Sequence, residues 1–319
     1  MDKKLTYLSF FCCGVVTLGL LFRESLLIGS LLISARWLIF IFLVASIIKS
    51  SRHRLLFSFF FFAAISEWIY TMYNYHSQDY YVFKSKKEFA ILNHNLLYKS
   101  KPKENYLDSV FKKEVDFLAF QEFNSNWRKY LASKATLNYK YFADFAHDYD
   151  AYGFGFYSKY PILKTTYLQE YKGVPYCQII DILIDKDTLT VFNTHLDSPA
   201  IAIYGEGNFW TLLFDNHRRR RKQYNSILAL SLKKGTKKQI FCGDFNTSRV
   251  EPLYRTMHLN WKNAATKRKG GSFSFKIANS PAFIAIDHVF YRGKLNSMNS
   301  EIYSFGNSDH LPTVTRFEH

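Results

Sequence analysis

The chain is 319 residues long, enough for one large domain or two ordinary ones, and carries a formal net charge of +16 with 18% aromatic residues. Its four cysteines show no Cys-x-x-Cys or Cys/His zinc spacing, which argues against a thiolate metal centre. The positive field concentrates anions such as phosphates, nucleic acid or acidic lipid heads without choosing among them, and +13 of it falls in residues 80–319.

Three apolar runs open the chain, at residues 5–22, 25–48 and 55–73. Each is close to the roughly 20 residues that a helix needs to cross the hydrocarbon core. Residues 1–79 are therefore expected to form a membrane anchor of three transmembrane helices, with residues 80–319 as a separate domain. Arg36 and Glu67 interrupt the second and third runs and should face neighbouring helices or the interface, with an Arg36–Glu67 pair as a further conjecture. The first run resembles the positive and apolar regions of a signal peptide, but no small-x-small cleavage site follows it, so a retained span is expected. Lys49, Arg52 and Arg54 place the loop between spans two and three in the cytoplasm, which puts residue 80 onward outside it; Lys84, Lys86 and Lys87 pull the other way.

Beyond the anchor, hydrophobic periodicity predicts a strand at Glu88–Leu97, a helix at Tyr106–Glu114, a strand at Val115–Phe120 and a helix at Trp127–Ala135. Further strands are expected at Gly153–Tyr157, Cys177–Ile184 and Leu189–Asn193, the last two joined by a turn at Asp185–Asp187. A long segment to Asn216 carries many apolar side chains, and His217–Leu232 reads as a helix with a basic start. Gln239–Cys242, Ser272–Phe275, Ile284–Phe290 and a short final segment complete the strands. Cys177 and Cys242 read as small buried hydrophobes, with a disulfide between them as the alternative. Many short strands among helices, without a dominant βαβ rhythm, suggest two packed sheets flanked by helices.

Polar residues collect where these strands end. Asn95, Glu122, His195, Asp244 with Asn246, and Asp309 with His310 each follow an apolar run, and Asp287 stands inside Ile286-Asp287-His288. Asp244 and Asn246 alone fit an Asx turn closing a strand as well as they fit a reactive pair. So many such places, nearly all Asn, Asp, Glu or His, point to a shared cleft at one edge of the sheets. His94 and His288 are neighbours of site candidates and should face the opposite way on a strand, as structural residues.

In order along the chain, Leu92-Asn93-His94-Asn95-Leu96, Phe120-Gln121-Glu122, Asn193-Thr194-His195-Leu196, Gly243-Asp244-Phe245-Asn246, Ile286-Asp287-His288 and Ser308-Asp309-His310-Leu311-Pro312 resemble the endonuclease/exonuclease/phosphatase superfamily. Gly153–Pro161 (GFGFYSKYP) fits the same pattern. The resemblance covers about residues 88–318, leaves the apolar runs outside, and is nearest to small bacterial membrane-anchored members, hence an expected place in the bacterial inner membrane. It implies an α/β fold, a four-layered α/β sandwich of the DNase I type, and Mg²⁺-dependent hydrolysis of phosphoesters, with Mn²⁺ as the alternative ion. It implies Glu122 as the primary metal ligand, with Asn95 and Asp309 at or near the metal. Asp244 would orient and deprotonate the attacking water, and Asn246 would hold a phosphate oxygen. His310 would stabilise the phosphorus centre, oriented and kept cationic by Asp287, and His195 would donate to the phosphate.

The run Arg218–Lys222 fits either a solvated helix face or an anion-binding surface, and Arg220 and Arg221 are the substrate-binding candidates. Arg220 with Gln223 also matches a pair that related members carry structurally. The apolar stretch Ile201–Phe214 fits core, lid or a loop that leans on a membrane. The expected partners are a lipid bilayer and a phosphate-ester substrate, either nucleic acid or a lipid headgroup. A degenerate, inactive binding module is the alternative of another class.

Overall fold

The computed structural model describes residues 7–14, 43–45, 47–49, 53–73, 87–171, 173–249, 251–269 and 285–319. The chain divides into two compact units, Met1–Ser77 with Arg249–Leu259, and Gln78–Ser248 with Asn260–His319. In the first unit, helix α1 (Arg54–Tyr73) coincides with the third apolar run. Cys12, Cys13, Leu43 and Phe57 are buried together there. Most of the first two runs, Arg36 included, lie outside the described residues, so the conjectured pairing with Glu67 falls there too. Among the described residues no helix is long and apolar enough to cross a membrane.

The second unit begins with β1 (Glu88–Asn95), α2 (Tyr106–Phe111), β2 (Phe117–Gln121), α3 (Ser125–Lys134), β3 (Tyr141–Phe145) and β4 (Phe154–Ser158). It continues through β5 (Ile162–Tyr171), β6 (Val174–Ile184), β7 (Asp187–His195), α4 (Ile201–Tyr204), α5 (Phe209–Lys234) and β8 (Lys238–Asp244). Short strands β9 (Lys262–Asn263) and β10 (Arg268–Lys269) precede β11 (Asp287–Gly293), β12 (Asn296–Ile302) and β13 (Thr313–Glu318). They form a seven-stranded sheet, β10-β12-β13-β1-β2-β4-β3, and a six-stranded sheet, β5-β6-β7-β8-β11-β9. Both are mixed, because β1 pairs with β2, and β7 with β8, in parallel.

Strand alternation builds the layers. Phe89 and Ile91 of β1 and Phe117 and Ala119 of β2 turn one way, onto Ile180, Val191, Ile240 and Val289 of the facing sheet. Ala90, Leu92, Leu118 and Phe120 turn the other way, onto Tyr106, Val110, Trp127 and Leu131 of α2 and α3. On the outside of the second sheet, Tyr224 of α5 stacks on Phe241 of β8 with ring centroids 6.1 Å apart. The result is helix, sheet, sheet, helix. Each fully buried aliphatic or phenyl side chain contributes roughly 1.5–3 kcal/mol of transfer free energy. Cys177 and Cys242 are buried and free, with both thiols pushed up by burial, Cys177 to about 12.

Two features differ from the sequence expectation. Helix α5 begins at Phe209, eight residues before His217, because the Asn208 side chain accepts from the backbone N–H groups of Trp210 and Thr211 and caps the extra turns. Strands β3, β5 and β12 carry mixed polar and apolar sequence, with no clean period, and were not anticipated. Ser272–Phe275 lies outside the described residues.

Candidate active site

The pairing registers carry the polar strand ends to one edge of the sandwich. Asn95 stands beside Gln121, the residue before Glu122, in the first sheet. In the second, His195 of β7 stands beside Asp244 of β8, and Asp244 opposite Asp287 of β11. Close approach of β7 and β8 at this edge requires glycine at position 243. Its φ is 144°, and a Cβ there would lie 1.8 Å from the Thr194 carbonyl oxygen.

Asp244 is the hub. Its Oδ2 accepts a hydrogen bond from Asn95 Nδ2 at 3.0 Å, and its Oδ1 accepts from the backbone N–H of Asn246 at 2.8 Å. The same Asn95 amide donates to Glu122 Oε1 at 2.8 Å, while Glu122 Oε2 accepts from the Tyr98 N–H at 2.9 Å. Asn95 thus presents its NH₂ to both carboxylates and keeps its oxygen on the Leu97 N–H at 3.0 Å. Glu122 and Asn246 sit in the left-handed region, with φ of 55° and 47°, at about 1–2 kcal/mol for the non-glycine backbone of Glu122. Burial pushes the Asp244 carboxyl above its usual range, a push that His310 and His195 offset in part.

His310 lies against Asp287, whose Oδ2 accepts from Nδ1 at 2.9 Å. That leaves Nε2 turned to Asp244 Oδ2 at 3.6 Å. Burial works against charge on this imidazole, but Asp287 and Asp244 outweigh it and hold His310 cationic, with its pKa raised to about 10. His195 donates from Nδ1 to the Ala151 carbonyl at 2.9 Å. Its Nε2 is 3.6 Å from Asp244 Oδ2 and 3.8 Å from Glu122 Oε1. Two imidazole nitrogens therefore approach the same oxygen of one buried carboxylate.

The sequence of residues 92–310 matches the family model for the endonuclease/exonuclease/phosphatase family. The chain belongs to this family. No curated protein matches it in sequence. Among solved structures it is similar to an endonuclease/exonuclease/phosphatase from Bacteroides vulgatus, with 18% identity, a TM-score of 0.57, and coverage of 73% of this chain and 99% of that one. It is also similar to TDP2 of D. rerio complexed with a single-strand DNA product, at 15% identity and a TM-score of 0.55, covering 72% and 98%. Beta toxin from Staphylococcus aureus shares 16% identity with a TM-score of 0.55 over 71% and 99% of the two chains. These likenesses establish the fold.

Members of the endonuclease/exonuclease/phosphatase family are phosphoester hydrolases, and their fold commonly uses divalent metals. The donor set fits one. Glu122, His195 and Asp244 each offer an atom within 4.8 Å of the others. Two carboxylates in a nearly buried site, one of them held above its usual pKa by burial, suit a hard cation such as Mg²⁺ or Mn²⁺. Asp244, Asp287 and His310 form a second close group, but there the His310 Nδ1 is taken up by Asp287. Asp309 falls in neither group; it is half-buried, with its Oδ1 3.4 Å from Ser308 Oγ.

Arg220 is not placed to meet substrate. It is 1% exposed on the inner face of α5, where it donates to the Asn246 carbonyl and, at 2.9 Å, to Thr247 Oγ1. His288 takes hold of the same loop through Nε2 to the Thr247 carbonyl at 2.8 Å. Together they clamp the turn that follows Asp244. Arg221 lies one position on and is exposed. Below the site, buried amides cross between the sheets: Gln121 Nε2 donates to Asn93 Oδ1 at 2.9 Å and to Asn193 Oδ1 at 2.6 Å, and Asn193 Nδ2 to Gln178 Oε1 at 3.1 Å. Sequence reading missed this belt, and its one signal was an amide or Asn recurring just inside three strand ends. Ser308 was missed too: its Oγ donates to the Asn95 carbonyl at 2.7 Å and accepts from the His310 N–H at 3.0 Å, tying the two sides of the site.

Proposed function

We propose that the chain hydrolyses phosphodiesters, with nucleic acid as the first substrate class, using Mg²⁺ or Mn²⁺ at Glu122 and Asp244 and working from a membrane anchor formed by residues 1–79. The observation that carries the catalytic part is the position of Asp244, whose Oδ2 lies 3.6 Å from the Nε2 of both His195 and His310. A divalent ion bound there would supply Lewis-acid charge to a phosphoryl oxygen. Asp244 accepts the proton of the attacking water, oriented by the Asn246 N–H and the Asn95 amide. The water oxygen joins phosphorus as the ester oxygen leaves. His310, cationic against Asp287, aims its Nε2–H at the charge that grows on the phosphoryl group. His195 already spends its Nδ1–H on Ala151, so donation to phosphate requires the doubly protonated ring. Asn246 Nδ2 donates to the Leu196 carbonyl at 2.9 Å, which leaves its second N–H for a phosphate oxygen.

Nucleic acid ranks first because residues 80–319 carry +13, a field that attracts a polyanion. A phospholipid headgroup ester is the second reading, favoured by the exposed aromatic side chains of α4 and the start of α5. The test is hydrolysis by the full chain of single- and double-stranded DNA, RNA, sphingomyelin and phosphoinositides, with and without Mg²⁺, beside Asp244→Ala. Nucleic-acid cleavage that needs Mg²⁺ and falls on the order of 10²–10⁴-fold in the variant is the expected result. Cleavage of lipid alone would move the chain to the second reading. Biological activity unchanged by Asp244→Ala and Glu122→Ala would leave only an inactive binding module.

A further inference from the structure

The apolar stretch after His195 leads into a helix face that lies outside the catalytic cluster. On α5, Trp210, Phe214, Arg218, Arg221 and Lys222 recur at helical spacing and share one face, opposite the buried Asn216, Arg220, Gln223, Tyr224 and Ile227. Trp210 is 48% exposed and stacks on Phe214 with centroids 6.4 Å apart, and Tyr204 of the neighbouring α4 is 85% exposed. The stripe therefore has an aromatic end and, two turns further on, a basic end. Arg218 pairs with Asp215 at 3.3 Å and Lys222 with Glu170 at 3.2 Å, yet both side chains remain more than two-thirds exposed.

We infer that this face docks the second unit on an anionic bilayer, the aromatic tip entering the headgroup zone and the basic residues meeting acidic headgroups. Exposed tryptophan and tyrosine favour the polar–apolar boundary of a bilayer, where an apolar ring and a polar edge are both satisfied. A nearby cationic zone adds attraction to negative lipid. Segregation is what selects a bilayer over a nucleic-acid strand. A strand-binding groove interleaves aromatic platforms with basic side chains along its length, whereas here the two kinds are separated along one helix face. The inference goes beyond hydrolysis and holds whichever ester is cleaved.

The test is fluorescence of the full chain reconstituted in phosphatidylcholine bilayers with or without phosphatidylglycerol, read without substrate, so that its failure and a failure of hydrolysis are separate results. Lipid brominated in its acyl chains should quench a component that Trp210→Phe lacks, and quench it more when phosphatidylglycerol is present. Arg221→Glu should lower the docked-to-undocked ratio by about fivefold or more on the anionic bilayer, with its circular dichroism unchanged. A Trp210 component that neither bilayer quenches, or that responds to a single-stranded oligonucleotide in place of lipid, overturns the inference.

Discussion

His310 and Asp287 show how two side chains set each other's chemistry. Burial alone would strip the proton from the imidazole, yet the adjoining carboxylates raise its pKa to about 10. A raised histidine is charged, and stabilising, below its unfolded value of 6.5, and that contribution disappears as pH rises through the folded value. The rate of ester cleavage should therefore fall on the alkaline side near pH 10. Asp287→Asn should bring that limb down towards neutrality and lower kcat/KM by about 10²-fold or more, as a pH–rate profile of the two proteins would show. Arg220 acts at one remove, through the turn that carries Asn246. Arg220→Met is expected to cost about 2–4 kcal/mol in denaturant unfolding, since it leaves buried acceptors unpaired, and to lower kcat with little change in KM. Arg220→Lys should recover only part of either effect, having one cationic point in place of a fork. The sequence offered Arg220 as a substrate ligand because five basic residues in a row look like surface. Helical spacing, read through Asn216, Arg220, Gln223, Tyr224 and Ile227, places it on the buried face.

At the scale of elements, the strands that end in the site were legible, since β1, β2, β7 and β8 are apolar runs closed by a polar residue. Edge strands such as β5, with threonine and glutamine among its apolar positions, lack that signal because solvent relaxes the demand for alternation. The predicted orientation of His94 on β1 has a measurable consequence. Its Nδ1 accepts from the Tyr106 hydroxyl at 2.7 Å and its Nε2 donates to the His310 carbonyl at 3.2 Å, which is a neutral tautomer with both nitrogens engaged. Burial lowers its pKa to about 3, so between that value and 6.5 the unfolded chain binds a proton that the folded chain refuses. Stability is then full above pH 6.5 and lost as pH falls through this window, by at most about 1.4 kcal/mol per pH unit. Urea unfolding of the metal-free protein at pH 7 and pH 5 should show the loss, and His94→Gln should flatten it.

At the scale of the molecule, the two sheets of the second unit and their flanking helices bring Glu122 and Asp244, distant in sequence, to one bridging amide on Asn95. A frame prepared for a cation should be stabilised by it. Mg²⁺ at about a hundred times its Kd adds roughly 2.7 kcal/mol to the folded state. Thermal melts in EDTA and in Mg²⁺ should differ accordingly, and Glu122→Gln should remove most of the difference. An unchanged melting temperature at saturating Mg²⁺ would count against a metal at this carboxylate pair.

The sequence by itself determined the family, the two-sheet architecture and the set of polar residues at the strand ends, because each is written in short local patterns. It could not determine which of those residues share an atom. That Asn95 offers its NH₂ to the carboxylates, that Asp309 stands apart from both close groups, that Arg220 turns inward, and that Gln121, Asn193 and Gln178 link the sheets all depend on chain segments dozens of residues apart. Only the tertiary structure decided them, because the register of β7 on β8 and the packing of sheet on sheet set distances that no local window contains.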